Sequence, residues 1–257
     1  MSFKWWPVRR TVQFLVLALI ASPWAGLAVF RGNLAAGDLF GLSLADPLAF
    51  LQATLASRQF VPSFLLSAAI VTAFYFLVGG RTFCGWICPV YLLTELGEKL
   101  RARFGGVDRS YSLNGTRWAF AVTLVVSLAA GIPLFEVLSP LGITARAIMF
   151  RAWLPLLLPL AILIVELFVA RRIWCRSLCP VGGFYSLIAR FSPLRVGFET
   201  SKCNHCGVCR EACPVEEVLA PSLESGARQV VSGHCTRCMR CLDSCRTKAF
   251  RVNLTYR

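Results

Sequence analysis

Histidine is almost absent: in 257 residues there are two, His205 and His234, both near the C-terminus. Haem b held between helices takes axial histidines, so a cytochrome-type membrane redox protein is excluded. Charge is scarce as well, at 16% of residues, and acidic charge most of all, with 13 Asp and Glu against 27 Lys and Arg. Neither G-x-G-x-x-G nor a phosphate loop occurs, which argues against nicotinamide or nucleotide chemistry. A net charge of +14 could point to nucleic acid, but the basic residues fall in gaps between apolar stretches. Charge placed there is read by insertion machinery and anionic headgroups, so no nucleic-acid partner is expected.

Apolar sequence, by contrast, is abundant, with a mean hydropathy of +0.63. Four runs, 11–30, 62–79, 118–138 and 153–170, lack Lys and Arg and approach the roughly 20 residues that span a bilayer. Pro23, Pro62, Pro133, Pro155 and Pro159 lie in or at the ends of these runs, where neighbouring helices can compensate for lost backbone bonds. Trp5, Trp6, Trp118, Trp153 and Trp174 sit at run ends as interfacial anchors do. Basic residues cluster before the first run, between the second and third (Arg81, Lys99, Arg101, Arg103, Arg109, Arg117) and after the fourth. That bias predicts a multi-pass protein of the bacterial inner membrane with both termini cytoplasmic. Arg9-Arg10 also loosely resembles a twin-arginine export signal, but the apolar run behind it is longer than a signal-peptide core. The expected fold class is an all-α membrane protein: a four-transmembrane-helix bundle over 1–191, then a small α+β two-cluster ferredoxin domain over 192–257.

All 12 cysteines belong to spaced clusters. Cys203, Cys206, Cys209 and Cys213 are followed by Cys235, Cys238, Cys241 and Cys245 at the same spacing, C-x2-C-x2-C-x3-C. Two-residue gaps let three thiolates wrap three corners of a cubane, while the fourth cysteine begins the next segment and serves the other cluster. On that logic one 4Fe-4S cluster takes Cys203, Cys206, Cys209 and Cys245, and the second takes Cys235, Cys238, Cys241 and Cys213. Paired C-x-x-C also binds zinc, but eight ligands in two even quartets fit two cubanes better. Pro214 follows the first run and Arg246 stands in its place after the second. Arg210, Arg237, Arg240, Arg246 and Lys248 crowd these segments; cationic surroundings raise a cluster's potential, or they dock the tail on anionic lipid.

Two further motifs share the form C-x3-C-P: Cys84 and Cys88 before Pro89, and Cys175 and Cys179 before Pro180. A three-residue gap puts both sulfurs on one face of a helical turn, and the proline opens a new helix. Isolated cysteines at helix ends are often small buried hydrophobes. Two copies in equivalent places point instead to a further cluster, a redox-active dithiol or another metal, and the residues leave these open.

Paired C-x3-C-P motifs followed by a two-cluster tail, with Asp46-Pro47-Leu48 and Ser139-Pro140 besides, resemble the NapH family. Those proteins are the membrane quinol dehydrogenase component of periplasmic nitrate reductase systems. The resemblance implies quinol as substrate drawn from the membrane quinone pool, and electron delivery toward a periplasmic ferredoxin-type subunit and nitrate reductase. The alternative is an assembly or maintenance factor that reduces a metal centre of another respiratory enzyme. Quinol oxidation releases protons, and an apolar-segment carboxylate is a candidate acceptor. Glu166 and Glu136 are the two candidates, with Arg171 or Arg172 as expected partners of Glu166.

Overall fold

The computed structural model describes residues 4–22, 30–32, 36–39, 42–104, 111–151 and 154–254. The chain begins with α1 (Trp5–Ile20) and an antiparallel meander, β1 (Phe30–Gly32), β2 (Ala36–Leu39) and β3 (Leu42–Ala45). Helices α2 (Pro47–Ser57), α3 (Pro62–Val78), α4 (Thr82–Trp86), α5 (Pro89–Phe104), α6 (Gly115–Ala130) and α7 (Leu134–Leu138) come after it. Next are α8 (Pro140–Phe150), α9 (Leu157–Phe168), a π-helical turn at Trp174–Leu178 and α10 (Pro180–Ala189). The C-terminal part holds β4 (Leu194–Phe198), α11 (Val208–Ala212), α12 (Ala220–Ser225), β5 (Gln229–Val230), α13 (Arg240–Ser244) and β6 (Phe250–Leu254).

The expected four-transmembrane-helix bundle is corrected by this structure: among the described residues no helix is long and apolar enough to cross a membrane. Glycine and proline are the cause. The 118–138 run breaks where Gly131 adopts φ 68° and Pro133 comes soon after, so α6 stops and α7 is a separate short helix. In the 153–170 run, with Pro155 and Pro159, the chain starts as a 3-10 turn at Leu154–Leu156 and leaves 12 residues for α9. At 1.5 Å per residue that is roughly 18 Å, against a hydrocarbon core of about 30 Å. Gly79 and Gly80, both at positive φ, end the 17-residue α3. Of the first run, α1, 16 residues long from Trp5, covers only 11–20; Pro23 and the rest of 23–29 lie outside the described residues, as do Arg109 and Trp153. The part before 192 is not all-α either, since β1, β2 and β3 form a sheet.

The chain packs as two compact units: Met1–Gln13, Phe74–Ile87 and Tyr185–Arg257 in one, Phe14–Ala73 and Cys88–Phe184 in the other. In the second of these, α2 lies against α6, and α5 against α9. The Gln52 side chain is fully buried and its Oε1 accepts from the Ser127 hydroxyl (3.3 Å) and the Phe135 N–H (3.1 Å). Gly97 lets α5 approach α9, for a Cβ there would stand 3.0 Å from Leu163 Cδ1. Asp46-Pro47 and Ser139-Pro140 are helix starts of one design. Asp46 accepts from the Ala49 N–H and Ser139 from the Gly142 N–H, each at 3.3 Å, with proline at the first helical position where no N–H is needed.

In the other unit β4 is central in the sheet β5-β4-β6, all antiparallel, with Val196 opposite Val252 and Phe198 opposite Phe250. Val196, Phe198, Val218, Leu219, Val230 and Phe250 are buried there, a small core of the kind that bound clusters reinforce. Helices α11 and α13 pack on each other.

Candidate iron-sulfur and thiol sites

The two cysteine runs adopt one backbone twice. The left-handed conformation recurs at matching places, His205 (φ 54°) with Arg237 (φ 47°) and Gly207 (φ 77°) with Met239 (φ 60°). Each two-residue gap thus contains one left-handed residue, which curls the chain so that successive cysteines face inward. A helix then starts at Val208 or Arg240, and Cys213 or Cys245 stands at its C-terminal end.

Helices α11 and α13 pack on each other, and the terminal cysteine of each lies with the other run. Cys203, Cys206, Cys209 and Cys245 line one cavity of about 300 Å³. Cys213, Cys235, Cys238 and Cys241 line a second, tighter one of about 20 Å³, walled by Val196, Val218 and other apolar side chains. Among the described residues no three His, Cys, Asp or Glu side chains close around a single metal ion. Backbone N–H groups already point at sulfur: His205 N–H to Cys203 Sγ at 3.4 Å and Ala249 N–H to Cys245 Sγ at 3.3 Å. Burial pushes the Cys245 thiol up, but hydrogen bonds from Thr247, Ala249 and Phe250 outweigh it and hold the thiol below its ordinary value. Burial and neighbouring cysteines push Cys241 well up. A ring of thiols with donors aimed at sulfur suits an iron-sulfur group that supplies the charge the thiolates need.

The second run is gripped by residues far away in sequence. Arg9, 1% exposed, donates to the Cys238 carbonyl (3.0 Å), and the Trp86 indole N–H donates to the Arg237 carbonyl (2.9 Å). Gln13 donates to the Gly85 carbonyl at 3.1 Å, and a Cβ on Gly85 would stand 3.0 Å from the Thr236 oxygen. Gly85 and Trp86, within the first C-x3-C-P motif, are therefore packed on the loop that carries Cys235 and Cys238. His205 is exposed, whereas His234 is buried with its Nδ1 3.2 Å from Arg81 Nη1.

Cys84 lies within the short helix α4, and Pro89 and Pro180 do open α5 and α10. The second motif departs from an α-turn: Trp174–Leu178 is π-helical, closed by the Cys179 N–H to the Trp174 carbonyl at 2.9 Å. Cys175, half-buried in that turn, feels Glu166, Cys179, Cys88 and Arg172, and burial above all pushes its thiol well up. Glu166 is 1% exposed and neither of its oxygens has a hydrogen-bond partner in good geometry among the described residues. Burial raises its carboxyl to about 8, opposed in part by the Arg172 charge and the nearby Trp174 N–H. Arg171 and Arg172 instead pair with Glu98, Arg172 at 2.7 Å, while the Arg172 guanidinium lies 4.3 Å from the Tyr91 ring centroid. Arg101 donates to the Glu166 and Leu167 carbonyls at 3.0 and 2.8 Å, capping α9. Glu98, Arg101, Arg9 and Arg81 were not legible as site residues; Glu98 and Arg101, three apart on α5, carried a faint signal as charges in a helix opened by the motif's proline. Glu136, whose backbone carbonyl accepts from Arg146 at 2.9 Å, is raised to about 7 by burial and by Asp46.

Paired thiol quartets on a repeated loop-helix backbone define a ferredoxin-type iron-sulfur protein that carries electrons. A 4Fe-4S binding domain matches residues 60–106 and 151–199, and a 4Fe-4S dicluster domain matches 195–246. The methylamine utilization ferredoxin-type protein MauN of Paracoccus denitrificans is 37% identical over 239 residues, covering 91% of this chain and 84% of that protein. The ferredoxin-type protein NapH of Escherichia coli is 34% identical over 257 residues, covering 98% and 90%. MauN of Methylorubrum extorquens is also 34% identical, with the same two shares. The chain belongs to this NapH and MauN family of ferredoxin-type electron-transfer proteins. No solved structure matches it at a significant level.

Proposed function

We propose that the protein oxidises quinol and passes the electrons through two 4Fe-4S clusters, one per thiol quartet, toward a periplasmic ferredoxin-type subunit and nitrate reductase. In this reading 192–257 is the two-cluster module and 1–191 carries the quinol-facing residues. Bound clusters supply one-electron storage; the chain's residues hold them, orient them and handle protons. Quinol oxidation yields two electrons and two protons, and Glu166 and Glu136, both raised toward neutrality, are the acceptors. The observation that carries the reading is Glu166: a buried carboxylate whose oxygens find no hydrogen-bond partner in good geometry among the described residues, and which acts electrostatically on Cys175, as Cys88 and Cys179 also do. Cys88, Cys175 and Cys179, and separately Cys84, serve in this reading as thiols of a redox relay or as further metal ligands.

The working place in this reading is the inner membrane, with both termini on the cytoplasmic side. Exposed apolar side chains support it: Leu66, Ile70 and Phe74 on α3, and Trp118, Val122 and Val125 on α6. Full-length protein supplied with a short-chain quinol should show cluster reduction by EPR, and Cys88→Ser or Cys179→Ser should abolish it while dithionite still reduces both clusters. Reduction by dithionite but never by quinol would sink the quinol reading. That result would favour the second reading, an assembly or maintenance factor reducing a metal centre in another respiratory enzyme.

A further inference from the structure

The two cysteine runs share a backbone but differ in what occupies the matching left-handed position. In the first it is His205, exposed; in the second it is Arg237, 3% exposed. Arg237 turns inward. Its Nε donates to the Leu194 carbonyl at 2.8 Å, Nη2 to the Ala189 carbonyl at 3.0 Å, and Nη1 to the carbonyls of Gly79 and Cys235. Gly79 makes this possible, since a Cβ there would overlap the Arg237 side chain. Every one of these acceptors is a neutral carbonyl. A buried guanidinium satisfied in its hydrogen bonds but given no anion is costly, unless an opposite charge resides close by.

The loop itself indicates where that charge belongs. Arg237 lies between Cys235 and Cys238, and it and Arg81 both act to lower the Cys235 thiol against the burial that raises it. Arg81 is 1% exposed and sits against His234, the residue before Cys235. Around the first cavity the arrangement differs: Arg210, which lines it, reaches the surface and pairs with Glu224. An iron-sulfur group with four thiolates is anionic and becomes more so on reduction, so fixed positive charge beside it favours the reduced state.

We propose that Arg237, with Arg81 beside it, is the built-in counter-charge of the second quartet and sets that quartet's reduction potential independently of the first. The proposal rests on the reading that each quartet binds a cluster. Two EPR-visible clusters in the unaltered chain test that reading; the shift between variants tests this one.

The experiment is a dithionite redox titration of the full chain followed by EPR, on wild type, Arg237→Gln, Arg237→Lys and Arg210→Gln. Arg237→Gln is expected to weaken reduction of one cluster by at least tenfold, about 59 mV for one electron, and to leave the other unmoved. Arg237→Lys should recover most of that shift, and Arg210→Gln should leave the second cluster unmoved. Shifts common to both clusters, no shift at all, or a lysine variant as low as the glutamine variant would overturn the proposal. Should the glutamine variant fail to hold its second cluster, the lysine variant decides. A held cluster of near-wild-type potential supports a charge role, and loss in both variants reduces Arg237 to a structural clamp.

Discussion

A carboxylate is comfortable in water and costly in a packed interior, and Glu166 is buried where, among the described residues, no side chain hydrogen-bonds it. Sequence reasoning singled out Glu166 as a carboxylate in an apolar run but assigned it Arg171 or Arg172. Those arginines go to Glu98 on a different helix, α5, and no local pattern around Glu166 announces that. Its raised pKa has a definite consequence for stability. A group raised from 4.5 to about 8 favours the protonated form in the folded state. The stabilisation is present in full below pH 4.5 and is lost as pH rises through 8. Wild type and Glu166→Gln should therefore unfold alike near pH 5 and diverge by pH 9, the glutamine variant being more stable by about 2–4 kcal/mol. Denaturant midpoints at the two pH values measure this; parallel pH profiles would mean that Glu166 is solvated or paired.

Among the elements, the short helices α11 and α13 matter most, because their packing brings the last cysteine of each run to the cavity of the other. Cys245→Ser should remove about four iron atoms per chain and the EPR signal of the cluster held by Cys203, Cys206 and Cys209, leaving the other signal in place. Loss of the signal that depends on Cys235, Cys238 and Cys241 instead would show that each run binds its own cluster. The grouping of eight cysteines around two cavities follows from their spacing: each two-residue gap makes a curl, whichever residue supplies it. Pro89 and Pro180 were legible as helix starts for a similar reason, a fixed φ with no N–H to place. Helix length was not legible from hydropathy. Runs of apolar residues say what the side chains prefer, while Gly131, Pro133, Pro155 and Pro159 decide where the backbone stops. Asp46-Pro47 and Ser139-Pro140, which entered the resemblance only as short motifs, are N-caps that begin α2 and α8.

At the scale of the whole molecule, packing joins the cysteine-rich C-terminal segment with the start of the chain and the stretch around Cys84 in one compact unit. Chain order does not reveal such an arrangement, because Arg9, Gly85 and Arg237 come together only through tertiary contacts. The central claim is that two thiol quartets each hold a 4Fe-4S cluster in a protein that carries electrons. Iron and acid-labile sulfide per chain test it most directly when the full-length protein is compared with a Cys209→Ser, Cys241→Ser double variant, which breaks one ligand in each quartet and leaves the C-x3-C-P cysteines intact. The account predicts that the variant holds about eight fewer iron and eight fewer sulfide atoms than wild type, two clusters of four. A deficit near four, or none, would contradict it.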